Sequence, residues 1–383
     1  MSLSFDMPDS NRASTTRPRV LMTCSAGVVN DPRTWSGTPH ALFEAMNDTA
    51  LIDVVPAAQP TGRLLKKLAR KADRRLQQNH PSIDGPLSRR VQWQNVHAQA
   101  RSAACTATLH LGTYDLPARP RSGMPAYLYI DTTYDLWRRQ SSRRGEISAR
   151  QQRIFWQLEQ RAVKATKHIF AIGQHVANNL ISAYGLAESK ITVVGTGRGN
   201  IAPYAGPKDF QNGRILTVAK VRPDDKGIPL LLDAFAHARR QNPRLTLTVV
   251  GGQKIPGIAQ MEGVEATGWL TEEQLQSLFE NASLFVMPAH YEPWGLVYLE
   301  ALSCQVPIMG LPRNAFPELS AHGDHGFAAR SNTNELAQDI LDALADSKRL
   351  AEMSRKGFAF ASRFDWAHTG RAIATTIALD QNA

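Results

Sequence analysis

Cysteine is scarce in this chain of 383 residues, and the scarcity narrows the classes of protein it can encode. The three cysteines, Cys24, Cys105 and Cys304, form no CxxC pair and lie among apolar or small residues. So few thiols disfavour a disulfide-stapled secreted scaffold and a cysteine-rich zinc site. We therefore expect buried free thiols in a reducing compartment, which favours a cytoplasmic protein.

Long apolar runs and several nucleotide or metal motifs are also missing. No run of 18 apolar residues occurs, so no membrane-spanning helix is predicted. The first 16 residues are polar, so we expect no signal peptide and a disordered tail over residues 1–18. No strand is followed by GxGxxG, which disfavours a dinucleotide-dependent oxidoreductase. No Asp-x-Asp pair offers a site for a nucleotide-bound metal, so we expect neither a metal nor a cofactor.

Positive charge is concentrated in the first half of the chain. Residues 1–200 hold 27 Lys/Arg against 14 Asp/Glu, whereas residues 201–383 hold 17 against 20. The excess gathers in a predicted helix, Arg63–Leu76, and in a predicted loop, Arg138–Arg144. Along that helix the apolar positions recur at helical spacing; they are Leu64, Leu65, Leu68, Ala72 and Leu76.

The basic helix has two open interpretations. It can lie on an anionic membrane surface from the cytoplasmic side, because basic residues flank an apolar stripe. It can equally be a solvated face above a small core stripe. Nucleic acid is disfavoured because neither an aromatic platform nor helix-turn-helix spacing accompanies the charge.

Strands and helices alternate on both sides of one Gly/Pro-rich stretch. We predict a first domain over 19–198, a linker over 199–213, a second domain over 214–364 and a last helix over 365–383. This alternation favours an α/β class with two doubly wound, Rossmann-like domains. Ligands are expected at the carboxyl ends of the strands, in the cleft between the domains.

The segment 287–307 is the most informative part of the sequence. An apolar strand ends at Pro288, and a polar loop carrying Glu292 follows. Pro293-Trp294-Gly295 then opens an apolar helix that carries Leu296 and Glu300, and we place Glu300 about two turns along it. A helix N-terminus after glycine offers unpaired N–H groups to a phosphate. Carboxylates on either side suit sugar or ribose hydroxyls, so the segment predicts a nucleotide-sugar site.

This Glu-x7-Glu segment resembles the signature of family-4 retaining glycosyltransferases, which have the GT-B fold. Further similarity follows in chain order, where Lys220 stands at a position that is usually arginine and Lys226 precedes a glycine. The resemblance implies that both cations stabilise the diphosphate leaving group, and Arg222 can share that role. Gly268-Trp269 is similar to the base-binding segment of the family. Phe364-Asp365-Trp366 resembles the start of a last helix that crosses back to the first domain.

The resemblance is weaker in the first half of the chain but assigns residues there too. Gly37-Thr38 looks like the first glycine-rich loop, close to donor phosphates and acceptor. Asp131 occupies a strand end where many relatives carry a histidine near the reacting carbon; an acid there can hydrogen-bond a sugar hydroxyl, stabilise oxocarbenium charge or cap the next segment. Gly197-Arg198 stands where relatives have a glycine loop near the hinge. In the second half, His290 precedes Tyr291-Glu292 and is expected to approach the donor sugar.

Together these residues and the family resemblance imply a retaining, hexosyltransferase-type enzyme that we expect to need no metal. The catalytic residues would be Asp131, Lys220, Lys226 and Glu292, and the resemblance implies front-face attack with a donor phosphate oxygen accepting the proton. We expect a UDP-sugar, with GDP-mannose as the alternative, and a glycan or lipid-linked acceptor in bacterial-type surface polysaccharide synthesis. The other candidates are a GT-B nucleotide-sugar epimerase and a non-catalytic basic protein that binds lipid or nucleic acid.

Overall fold

The computed structural model describes residues 17–58, 63–77, 85–116, 123–251 and 255–382. Of the expected tail over residues 1–18, residues 1–16 lie outside this description. The strands in the described residues are β1 (Arg19–Cys24), β2 (Asp53–Pro56), β3 (Ala107–Leu111), β4 (Ala126–Ile130), β5 (His168–Ala171), β6 (Ile191–Val193), β7 (Arg214–Val218), β8 (Thr246–Val250), β9 (Val264–Gly268), β10 (Leu284–Val286), β11 (Ile308–Gly310) and β12 (Gly326–Ala328). The α-helices are α1 (Thr38–Asp48), α2 (Arg63–Gln77), α3 (Pro86–Ser102), α4 (Tyr134–Gln140), α5 (Ala149–Ala165), α6 (Gln174–Tyr184), α7 (Ile228–Gln241), α8 (Glu272–Asn281), α9 (Leu296–Ser303), α10 (Phe316–Leu319), α11 (Thr333–Ala345), α12 (Ser347–Ala361) and α13 (Trp366–Asn382).

The strands form two parallel sheets of six, one in each half of the chain. Their orders are β2-β1-β3-β4-β5-β6 and β12-β11-β10-β7-β8-β9. Central strands such as β4 and β10 are buried along their whole length. Helices cover both faces of such sheets, so their strands are continuously apolar instead of alternating. The predicted α/β class with two Rossmann-like domains is confirmed.

Strand order reverses direction once in each sheet. In the second sheet β7 lies between β8 and β10, so the connections leave it on opposite sides. In the first sheet the same reversal occurs between β1 and β3. A crevice forms at the carboxyl ends of the strands at such a point, and ligands bind there in open α/β sheets. The loops after β7 and β10 therefore meet at one edge of the second domain.

The last helix returns to the first domain, as predicted. Gly370 of α13 packs so closely on Ala45 of α1 that a Cβ at Gly370 would lie 2.8 Å from the Ala45 backbone. Thr369 Oγ1 donates a hydrogen bond to the Val194 carbonyl at 3.1 Å. Near the end of α13, Asp380 forms an ion pair with Lys167 at 2.8 Å. These contacts make α13 part of the first domain.

The position of Glu300 differs from the sequence prediction. Helix α9 begins at Leu296, so Glu300 is its fifth residue, about one turn along instead of two. The helix begins late because Gly295 has a left-handed backbone with φ of 86°, which an α-helix excludes. A Cβ there would also lie 2.6 Å from the Tyr298 ring.

Helix α2, which contains the basic segment, does not bury the whole stripe of leucines that the sequence predicted. Of its described side chains Ala69 and Asp73 are buried, whereas Leu65 and Leu68 are each 62% exposed. The side chains of Leu64 and Leu76 lie outside the description. The Asp73 carboxylate accepts hydrogen bonds from the Ser88 amide at 2.8 Å and from its hydroxyl at 2.7 Å. Because this carboxylate caps α3, the inner face of α2 is fixed by a hydrogen bond as well as by packing. Two leucines of the predicted apolar stripe are left at the surface.

The predicted loop at Arg138–Arg144 is wrong for its first part. Arg138 and Arg139 lie on α4, and both pair with the buried carboxylate of Asp135, at 2.6 and 2.8 Å. The helix forms because Thr133 caps it by accepting a hydrogen bond from the Leu136 amide. The side chains of residues 143 and 144 lie outside the description. Among the described residues, no helix is long and apolar enough to cross a membrane.

Candidate functional site

A cleft with a volume of about 700 Å³ separates the two domains. Both domains line it, at the carboxyl ends of their strands. Ten of the predicted site residues lie in its wall: Thr38, Asp131, Lys220, Arg222, Lys226, Glu292, Trp294, Gly295, Leu296 and Glu300. Residues far apart in sequence are thus gathered at the place where this class of sheet binds ligands.

Lys226 and Glu292 meet in this cleft. The Lys226 ammonium donates a hydrogen bond to Glu292 Oε2, and the two side chains are 19% and 16% exposed. Burial lowers the pKa of Lys226 to about 8, against the attraction of Asp225. The two loops approach closely because residue 227 is glycine; a Cβ there would lie 2.0 Å from the Pro288 carbonyl oxygen. Lys226 therefore supplies the positive charge, and Gly227 leaves the space in which the two loops approach each other.

Glu300 lies deeper, where the second domain meets the start of the linker. Its Oε1 accepts a hydrogen bond from the Asn200 amide at 3.2 Å. Gly199, with φ of 106°, permits this approach, because a Cβ there would lie 2.3 Å from Glu300 Oε1. Burial raises the pKa of Glu300, and the charge of Lys220 opposes that shift. This carboxylate faces the cleft between a cation and the interdomain linker.

Asp131 occupies the carboxyl end of β4, on the opposite wall. Burial raises its pKa to about 6; a backbone hydrogen bond and the charges of His175 and Lys226 oppose the shift. A carboxyl with this pKa changes its protonation state near neutral pH, which suits a group beside a reacting centre. The His175 imidazole stacks on Trp294, with ring planes 10° apart.

The glycine-rich turn of the first domain has an unusual backbone. Trp35, Ser36 and Gly37 have φ values of 43°, 55° and 83°. Gly37 then caps the N-terminus of α1, and Thr38 begins the helix with its side chain buried. The two non-glycine residues in left-handed conformations mark local strain, which is often found at binding sites. Trp35, Ser36 and Thr38 all line the cleft.

Several predicted donor-binding residues have other surroundings. Gly197 lies beneath the Trp366 indole, where a Cβ would be 2.2 Å from Cδ1, and Arg198 beside it is half-buried. Gly268 ends the edge strand β9, and Trp269 after it is 65% exposed. His290 is half-buried, and burial, with the nearby charge of Arg313, lowers its pKa. For these positions the donor contact stays a prediction.

Sequence reasoning missed the hydrogen bonds that cross the cleft. Tyr291 Oη donates to Thr132 Oγ1 at 2.9 Å, and Trp294 Nε1 donates to Thr196 Oγ1 at 2.9 Å. Ser142 Oγ donates to Asp225 Oδ1 at 2.7 Å. Tyr291, Thr132, Thr196 and Asp225 are each adjacent to a predicted site residue, so proximity to the motifs was the available signal, whereas Ser142 lies in the predicted basic loop. The pairs themselves required the fold.

Arg70 was also missed as a cleft residue. It belongs to α2, for which the sequence indicated a membrane surface or a solvated face, yet it lines the cleft with Asp131 and Lys226. The basic helix therefore contributes to the site as well as to the surface. Within the described residues no cluster of three or more His, Cys, Asp or Glu offers a metal site.

Comparisons with known proteins match this architecture. Residues 212–346 match the family model described as Glycosyl transferases group 1. A D-inositol 3-phosphate glycosyltransferase of Gordonia bronchialis is 26% identical over 279 residues, which are 66% of this chain and 60% of that protein. The chain thus spans about three fifths of the length of that curated relative.

Solved structures are similar over nearly the whole chain. Sucrose-phosphate synthase from Thermosynechococcus elongatus superposes with a TM-score of 0.73 at 16% identity, covering 96% of this chain and 100% of the other. Anabaena HepE, solved in complex with UDP and glucose, gives 0.63 at 17% identity, covering 94% and 100%. The chain has the fold of these structures, and its second domain is similar in sequence to the glycosyl transferases group 1, so the predicted resemblance to GT-B glycosyltransferases is confirmed. The assignment to family 4 stays a prediction.

Proposed function

We propose that the protein is a retaining glycosyltransferase of family 4 that transfers a sugar from a nucleotide-diphosphate sugar to a hydroxyl. The observation that carries the proposal is the gathering of Lys220, Lys226, Glu292 and Glu300 in one cleft, opposite Asp131. A non-catalytic lipid- or nucleic-acid-binding protein has no need of this arrangement. A nucleotide-sugar epimerase remains the alternative enzyme.

The cations and carboxylates have separate proposed roles. The bond between the sugar and the diphosphate breaks, and its electron pair leaves on the phosphate oxygen, where Lys220 and Lys226 stabilise the negative charge. The acceptor oxygen forms the new bond on the same face and gives its proton to that phosphate oxygen. Glu292 orients the sugar and Lys226, while Glu300 binds ribose hydroxyls. Asp131 stabilises positive charge on the sugar ring.

The proposed donor is a UDP-sugar, with GDP-mannose as the second candidate. The similarity to a protein solved with UDP and glucose supports UDP. The proposed acceptor is a glycan or lipid-linked glycan in surface polysaccharide synthesis. We further propose a cytoplasmic location and docking on anionic membrane through α2, because exposed Leu65 and Leu68 lie among its basic residues.

A panel of nucleotide-sugars tests the proposal. The true donor should raise the melting temperature, because a ligand that binds only the folded state stabilises it. Donor hydrolysis and transfer should continue in the presence of EDTA, and proton NMR of the product should show a retained anomeric configuration. An inverted product would refute retention, loss of activity with EDTA would refute metal independence, and interconversion of two free nucleotide-sugars would identify an epimerase.

A further inference from the structure

A second, smaller chamber opens from the cleft into the first domain. Its volume is about 220 Å³. This is room for on the order of seven water molecules at liquid density, which suits a single six-membered ring with its substituents. The chamber and the cleft share Asp131 and Thr132 in their walls, so they join at the carboxyl end of β4.

Aromatic side chains dominate the chamber wall. The contributors from both domains are Trp35, Tyr114, Tyr134, Trp137, Phe155 and Tyr291. Tyr134 stacks on Trp137 with ring centroids 5.7 Å apart, and meets the edge of Phe155 at the same distance. Flat aromatic surfaces of this kind pack against the C–H faces of a ring and bury apolar surface of both partners at little cost in conformational entropy.

The buried charges of the chamber are already satisfied by protein groups. Glu159 accepts hydrogen bonds from Thr113 Oγ1 at 2.9 Å and from the Tyr134 amide at 2.7 Å. The Arg89 guanidinium lies over the Tyr114 ring, 4.8 Å from its centroid. The wall holds one cation, Arg89, and two carboxyl groups, Glu159 inside and Asp131 at the junction with the cleft, so it offers no unpaired cation to an anionic ligand. Burying an unpaired ligand charge here would be costly.

One polar group is available to a ligand. Tyr134 Oη is buried and makes no hydrogen bond within the described residues. A buried hydroxyl without a partner is uncommon and needs an explanation. A hydroxyl on a bound ring would satisfy it, because the phenol both donates and accepts a hydrogen bond.

The chamber also depends on the second domain. Tyr291, the residue before Glu292, closes one side of it and donates a hydrogen bond to Thr132 at 2.9 Å. The donor loop that carries Glu292 is therefore continuous with the chamber wall. A ring held in the chamber presents its outward hydroxyl at Asp131, where the chamber meets the cleft.

From this geometry, and resting on the proposed function, we infer that the chamber binds the acceptor as a neutral, hydroxylated ring. The accepting sugar or cyclitol ring enters between the aromatic side chains, with one hydroxyl at Tyr134 Oη and the reacting hydroxyl at Asp131. Charged substituents of the acceptor remain in the cleft outside. The acceptor subsite thus selects for a ring of monosaccharide size that carries no charge on its buried edge.

The test compares neutral and charged acceptor rings with matched variants. With the donor found by the panel, transfer would be measured to methyl hexosides and to methyl hexuronides, alongside hydrolysis to water. Methyl hexosides should be used with a kcat/KM at least tenfold above that for the hexuronides. Tyr134→Phe should raise the KM for methyl hexoside about tenfold, the effect of losing one buried hydrogen bond of about 1.4 kcal/mol. Tyr204→Phe removes a tyrosine hydroxyl in the linker and is the control.

A second variant tests the chamber by its volume. Ala26 is exposed and lines the chamber mouth, so Ala26→Leu narrows the entrance at a position that tolerates substitution. It should lower the ratio of transfer to hydrolysis. An unchanged KM in Tyr134→Phe together with an unchanged ratio in Ala26→Leu would overturn the inference, as would a preference for hexuronides. If the chamber variants contradict the inference but the protein still hydrolyses the donor, the proposed function stands. If the protein binds no nucleotide-sugar at all, the proposed function and the inference are both refuted.

Discussion

The Lys226 ammonium donates a hydrogen bond to the Glu292 carboxylate across the point where strand order reverses in the second sheet. The pair joins the loop after β7 to the loop after β10, and neither side chain is more than one-fifth exposed. A buried ion pair contributes little net stability by itself, because desolvation offsets most of the attraction. Its value here is positional, since it holds a cation and a carboxylate at fixed places in the cleft.

Removal of the cation should impair turnover much more than folding. Lys226→Ala is expected to lower kcat about a hundredfold, on the scale of losing one preorganised charge donor, and Lys220→Ala should act similarly. Steady-state kinetics with the identified donor measure the effect. Lys356→Ala, which removes a surface cation paired only with Glu352 among the described residues, is the control. Near-normal turnover and donor affinity in both cleft variants would show that the phosphate site lies elsewhere.

Activity should have two pH limits. Turnover should fall below a pH of about 6 as Asp131 becomes protonated, and above about 8 as Lys226 loses its proton. Asp131→Asn should remove the acid limb from the pH profile of kcat. Burial also lowers the pKa of Lys208 to about 8, but its ammonium binds carbonyls at the end of α8. Turnover in Lys208→Arg should therefore still fall above a pH of about 8. If that fall disappeared in this variant, Lys208 and not Lys226 would be its cause.

Glu300 should act on the nucleotide. Glu300→Ala removes a carboxylate from the cleft and is expected to weaken nucleotide binding about tenfold, equivalent to about 1.4 kcal/mol. Calorimetric titration with the nucleoside diphosphate measures the change. Glu272→Ala is a matched control, because Glu272 also bonds Asn200, at 2.8 Å, from an exposed position. Equal affinities in the two variants would remove the ribose role from Glu300.

Gly197 should be needed for packing. A Cβ at this position meets the Trp366 indole, so Gly197→Ala is expected to lower the free energy of unfolding by about 1–3 kcal/mol, as overpacking does. Urea denaturation measures it. Gly123→Ala is the control, because a Cβ there meets no atom within 4 Å. A loss of donor affinity at unchanged stability would instead support the predicted donor contact of Gly197.

Membrane docking through α2 should depend on charge. Lys67, Lys71, Arg74 and Arg75 are exposed, and each basic residue near an anionic surface contributes roughly 1 kcal/mol. Co-sedimentation with vesicles should rise with anionic lipid and fall with salt. Replacing these four residues by glutamine should abolish most of it without changing donor hydrolysis. Arg70 is excluded from the set because it lines the cleft. Equal sedimentation with neutral and anionic vesicles would contradict the proposal.

The sequence predicted the parts of this protein that repeat a general pattern. Apolar strands separated by helices give two parallel sheets, and the loop residues Lys226 and Glu292 then fall at the strand ends that the topology brings together. Their roles were predicted from the resemblance to the family motifs, in which a lysine precedes a glycine and a glutamate precedes an apolar helix. Helix ends were less predictable; the left-handed backbone of Gly295 moved the start of α9 and with it Glu300.

Contacts between the domains were not predictable from pattern. The bond from Tyr291 to Thr132 joins residues 159 positions apart, and either one reads alone as an ordinary loop residue. Helix α2 is a second example. The leucine spacing predicted that the leucines face inward, whereas the buried carboxylate of Asp73 fixes a different inward face. Periodicity counts apolar residues and takes no account of a carboxylate that is buried because it caps another helix.

Helix α13 gives the chain an unusual order of assembly. The first sheet is complete by residue 193, but the core beneath it includes Ile373, Ala374 and Ile377 of the last helix. During synthesis that core therefore stays open until α13 has been made, by which time the second domain already has all of its strands. In spatial terms the second domain is an insertion within the first. To produce the two domains separately, residues 365–382 would therefore be joined to the first domain, and residues 214–364 would be expressed alone.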